Sequence, residues 1–209
     1  MNELGFDPSG STARSTRDVI IQAAWECFRQ FGPRKTTIAD ISRTANLSRG
    51  TVYLYFKDKS AILQATAENA SKSFYAALAD SMRGLVSLEE QFASAAVFVC
   101  RSKQQLRHWE KLFDAEAVAV LLTSDGVLLR ECVEFLSPYI ESATATGEVR
   151  ADLDVGSAAE WFARILFSLY STPSPLLDLD DPATVKRFVE SHVIAGFAPR
   201  RQTLSRANR

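Results

Sequence analysis

The chain has 209 residues, 46% of them apolar and 23% charged, with a formal net charge of −1. That is ordinary for a soluble globular protein of one large or two small domains. The longest apolar run, Phe92 to Cys100, is interrupted by Ser94 and falls far short of the ~20 residues of a membrane-spanning helix, so no membrane partner is expected.

Charge is unevenly spread. Met1 to Ser60 holds nine Lys/Arg and six Asp/Glu, a balance of +3, and the rest carries −4. A basic head on an acidic body suits a nucleic-acid partner for the head alone. Cys27, Cys100 and Cys132 lie in apolar stretches. An odd, sparse set without a signal peptide reads as reduced thiols in a cytoplasmic protein.

Met1 to Thr16 mixes Pro, Gly and Ser without periodicity and reads as a disordered arm, residues 1–16. Arg17 to Phe31 is the first predicted helix, with Ile20, Ala24, Cys27, Phe28 and Phe31 as its stripe and Thr16 as its cap. Gly32-Pro33 stops it. In the second, Ile38, Ile41 and Ala45 recur on one face, Thr36 or Thr37 caps, and Asp40 sits in the first turn. Asn46 tolerates a left-handed backbone and ends this helix, and Leu47 plugs the bend. Ser48 caps a third helix to Phe56, with Val52, Tyr55 and Phe56 inward and Arg49, Gly50, Thr51, Tyr53 and Leu54 outward. A merely solvated face would be richer in Glu, Lys and Gln.

Asp58 caps a long fourth helix to about Met82, with no Gly or Pro before Gly84. From Leu85 the chain reads as a helical body. Ser87-x-x-Glu90 is a capping box opening a helix to Ser102. Gln104 to Leu122 is amphipathic, and Ser124 or Asp125 caps a helix to Thr146 that Pro138 should kink. Val155 to Tyr170 is apolar nearly all round, and a last helix runs from Pro182 to Phe197. No stretch alternates with period two, so the fold class is all-α.

Helix, bend and second helix make a helix-turn-helix, whose second helix enters the DNA major groove. The order Ile20-x-x-Ala23-Ala24-x-x-x-Phe28, Gly32, Thr36-Thr37-Ile38, Asp40-Ile41, Leu47-Ser48-Arg49-Gly50-Thr51-Val52-Tyr53-x-Tyr55-Phe56, Lys59 resembles the DNA-binding domain of TetR-family transcriptional regulators. The resemblance implies a three-helix domain over residues 17–63, joined by the long helix to a helical ligand-binding and dimerisation domain over 64–198, with a basic tail over 199–209. Three positions depart from the family pattern: Asn46 for Gly at the bend, Ala39 for a polar or cationic reader, and Leu54 for an aromatic.

The expected partner is double-stranded DNA. Arg49 can donate two hydrogen bonds to guanine, and Gly50 admits close backbone approach. Thr51, Tyr53, Ser48 and Thr37 suit phosphate, Tyr53 or Leu54 can also meet a base, and the resemblance adds Tyr55 and Lys59 as phosphate contacts. Useful specificity requires two heads on a palindrome, hence a homodimer. The resemblance places its interface on the last two helices, through Trp161, Phe162, Ile165, Leu169, Phe188, Val189 and Val193. It also implies a pocket for a small apolar effector, drawn from Phe74, Phe98, His108, Trp109, Phe113 and Phe135. No catalytic residue, metal site or cofactor is read: His108 and His192 are far apart, and no phosphate loop or G-x-S-x-G is present. The expected function is a ligand-responsive repressor. The alternatives are an apolar small-molecule-binding protein without a DNA role, and an effector-independent DNA-binding activator.

Overall fold

The computed structural model describes residues 15–110 and 127–198, and side chains over 15–102 and 128–198. The arm through Arg14, Phe113, the caps Ser124 and Asp125, the tail from Pro199 and the side chains of His108 and Trp109 lie outside the described residues. Every element among the described residues is helical: α1 Thr16–Phe31, α2 Ile38–Thr44, α3 Arg49–Tyr55, α4 Lys59–Met82, α5 Leu88–Glu110, α6 Val127–Ala145, α7 Val155–Ser171 and α8 Pro182–Phe188. The chain forms two compact units, parted between Asp80 and Ser81, with residues 104–110 counted in the first.

The first unit holds the head. Its core joins Ile20, Ala24, Cys27 and Phe28 of α1 to Ile41 of α2, Val52 of α3 and Phe56. Ile62 and Ala65 of α4 complete it, so the core takes four helices rather than the expected three. Phe31, expected in the α1 stripe, is 49% exposed, because the helix has reached its end and Gly32 turns the chain away at φ 81°. Ser15 rather than Thr16 caps α1, accepting from Asp18 N. The Cys27 Sγ lies 3.2 Å from the Thr44 hydroxyl, tying α1 to α2.

The second unit has an aromatic core. Phe92 of α5 stacks on Phe162 of α7 at 3.8 Å and 4°, and Phe197 meets Phe92 edge-on. Leu88, Leu136, Ile140, Ala159 and Leu166 are buried in the same unit. Ser87 and Glu90 form the expected box at the start of α5. Glu148, sixty residues on, adds a tertiary cap by accepting from Leu88 N at 2.6 Å. The expected break before Gln104 is absent, since α5 runs on to Glu110. α6 continues through Pro138.

The last predicted helix is not uniform. α8 passes into a π turn over Val189–Val193 and a 3₁₀ turn over Ile194–Gly196. Val185, Val189, Val193 and Phe197 are all buried, at a four-residue spacing. In a regular α-helix such a row drifts by about 40° per step. The wider π turn offsets that drift between Val189 and Val193.

Candidate nucleic-acid interface

Local chemistry builds this site. Thr37 accepts from Asp40 N, and Asp40 accepts from both the Thr37 backbone N–H and its hydroxyl, a complete capping box. Those bonds, the Thr37 side chain first, hold the Asp40 carboxyl below its usual range. At the other end of α2, Asn46 has φ 53°, alone among described non-glycine residues in being left-handed. Leu47 N then reaches back to Ser42 O at 2.9 Å, closing the helix as a Schellman turn. The next residue, Ser48, accepts from Thr51 N at 3.0 Å and starts α3. The bend is therefore short and hydrogen-bonded on both sides, which fixes how α3 leaves α2.

α3 buries a single side chain, Val52. Arg49 and Gly50 are exposed and Thr51 is half-buried. Tyr53 is 54%, Leu54 84% and Tyr55 46% exposed. Tyr55 was expected on the inner side as well as at phosphate; the structure puts it outside, since Phe56 fills the core position. Gly50 has room for a side chain: an added Cβ would meet only the Ser48 Oγ, at 3.6 Å. The fold itself does not require glycine there. Arg17 packs its guanidinium over the Phe56 ring at 5.2 Å, bringing a cation from α1 to the end of α3, a feature α1's apolar periodicity could not reveal.

Four expected contacts are engaged within the protein. The Thr37 hydroxyl proton points to Asp40 Oδ2 at 2.6 Å. Ser48 and Thr51 hydroxyls bond each other at 2.8 Å. Lys59, expected at phosphate, donates to Pro33 O, Thr36 O and Arg34 O at 3.0, 3.1 and 3.4 Å. An ammonium has three N–H donors, so this occupies them all.

The expected interface residues separate into two groups. Phe162, Leu169, Val189 and Val193 are buried within the protomer, and side chains already packed have no surface left for a partner. Trp161, at 40% exposure, and half-buried Ile165 and Phe188 do. Of the expected pocket residues, Phe74, Phe98 and Phe135 are half-buried. Phe74 packs edge-on to Tyr75, and Phe135 tilts against Tyr139. A cleft of about 210 Å³ lies among Arg150, Asp154, Ser157, Trp161 and Phe197, none of them among the expected pocket residues. No described helix is long and apolar enough to cross a membrane.

Residues 20–66 match the family described as "Bacterial regulatory proteins, tetR family". The HTH-type transcriptional regulator YhgD of Bacillus subtilis is 20% identical over 188 residues, covering 87% of this chain and 96% of its own. The fatty acid degradation regulator FadR of Bacillus halodurans superposes with a TM-score of 0.60 at 17% identity, over 87% of this chain and 98% of its own. SmeT, the repressor of the Stenotrophomonas maltophilia multidrug efflux pump SmeDEF, does so at 0.56 and 24%, over 88% and 91%. These two structures share this chain's fold.

Proposed function

We propose that this chain, whose residues 20–66 match the TetR family, is a DNA-binding transcriptional regulator, a homodimeric repressor released from a palindromic operator by a small apolar effector. One observation carries the DNA assignment: α3 turns Arg49, Tyr53, Leu54 and Tyr55 to solvent while its fold holds only Val52 inside. Exposed aromatic and aliphatic groups beside a cation suit base edges, thymine methyls and sugar. Arg49 and Gly50 face the bases, and Thr51, Tyr53 and Tyr55 the backbone. Thr37 and Ser48 contribute mainly as caps that aim the helices.

Two such heads, with recognition helices about 34–36 Å apart or a multiple of that, read a two-fold site. Trp161, Ile165 and Phe188 supply the exposed apolar part of the interface. The effector binds the helical body, beside Phe98 and Phe135 of the second unit, and its binding moves α4. Release follows only if the effector prefers the non-binding state. That SmeT is a repressor supports the sense of the regulation.

A gel-shift titration on a duplex recovered by random-sequence selection tests the assignment. Arg49→Ala and Tyr53→Ala should each weaken binding at least about tenfold with the fold intact. Binding as tight as wild type by either folded variant would remove the assignment.

A further inference from the structure

Lys59 opens α4, and its ammonium sits among three carbonyls of the α1–α2 turn, those of Pro33, Arg34 and Thr36. The turn is held from its other side by buried Thr36. The Thr36 hydroxyl lies 2.8 Å from Gly32 O and 3.2 Å from Cys27 O, and Thr36 N donates to Gly32 O. Asp58 fixes the start of α4 independently, accepting from Ala61 N at 2.8 Å. The residue after Thr36 is the cap of α2. One side chain therefore clamps the first turn of α4 to the chain that launches α2, and α2 sets α3.

We propose that Lys59 is a positioning residue for DNA binding, clamping α4 to the α1–α2 turn instead of touching phosphate. The inference rests on the DNA-binding reading above. A displacement of the first turn of α4 then reaches the helix-turn-helix through this clamp. The chemistry suits lysine specifically. Three N–H groups radiate from one small nitrogen toward three carbonyls, whereas guanidinium is a planar fork of fixed geometry.

Lys59→Met keeps the apolar stem and removes the donors. Lys59→Arg keeps the charge and loses the geometry. Both are titrated against the selected duplex over a salt series, each well below its own melting temperature. Both should bind about tenfold more weakly, as expected for losing charge-assisted hydrogen bonds, with the log–log salt slope of wild type. A phosphate contact predicts otherwise: Lys59→Met lowers the slope by about one and Lys59→Arg restores affinity. Either result overturns the inference, as does a loss that disappears on cooling, which marks mere destabilisation. If wild-type protein enriches no duplex, the DNA-binding reading itself fails. A wild type that binds, with a variant slope lower by one, sinks the inference alone.

Discussion

Of the seven residues of α3, one is buried, whereas α7 buries six of its seventeen, Phe162 and Leu166 among them. Both helices carry aromatic and aliphatic residues in quantity. α7 turns them against Phe92 of α5 and Phe197, which follows the turns after α8. α3 leaves Tyr53, Leu54 and Tyr55 in water. Burial of a large apolar side chain gains about 1.5–3 kcal/mol, a gain α3 forgoes in the free protein. The same kinds of residue are therefore core in one helix and exposed in the other. The difference predicts opposite responses to mutation.

The largest effect belongs to the core. Phe162→Ala empties one half of the ring stack and should cost about 3–5 kcal/mol in urea denaturation. Next comes Arg49→Ala, which should lose about 1–3 kcal/mol of operator binding with its unfolding curve unmoved. If that variant instead melts early, α3 is core-like and the contrast dissolves. Gly50→Ala separates the two roles within one residue. The free fold has space for the methyl, so unfolding should show a gain of about 0.5–1 kcal/mol from better helix propensity. Filter-binding to operator should weaken, because the methyl stands between helix and groove.

The smallest effect is common to both regions. Asp40 completes the capping box of α2 and Asp154 caps α7; each carboxyl is held below its usual range, first by the hydrogen bond from Thr37 or Ser157 respectively. A depressed folded-state pKa stabilises above the unfolded value, about 3.9, and that contribution is lost as pH falls through the folded value. The urea midpoint should drop modestly below roughly pH 4, and Asp40→Asn with Asp154→Asn should flatten that drop. The Cys132 thiol, pushed up to about 12 by burial, should resist alkylation in native protein at neutral pH.

Much of the head was legible because its signals are local. Asn46 at φ 53° and the Thr37–Asp40 box follow from residues within four positions of one another. The Ser48 cap follows from the same short range. Contacts made at long range were not legible. Lys59 reaches carbonyls 23 to 26 residues earlier, and no spacing rule marks that. Tyr55 and Phe56 are adjacent and both aromatic; only the packed core decides that Phe56 enters it and Tyr55 does not. Likewise the apolar sequence of α7 identifies a helix covered on several sides, but not whether the cover is this protomer or another. Phe162 met Phe92, and Trp161 kept part of its ring in solvent.

The most direct test is random-sequence duplex selection with wild-type protein, followed by titration of the enriched site with Arg49→Ala. The enriched site should be two-fold symmetric, and the variant should keep its melting curve while losing at least about tenfold in affinity. An enriched site without symmetry, or a folded variant that binds it as wild type does, would contradict the claim that α3 is a groove-reading helix presented in pairs.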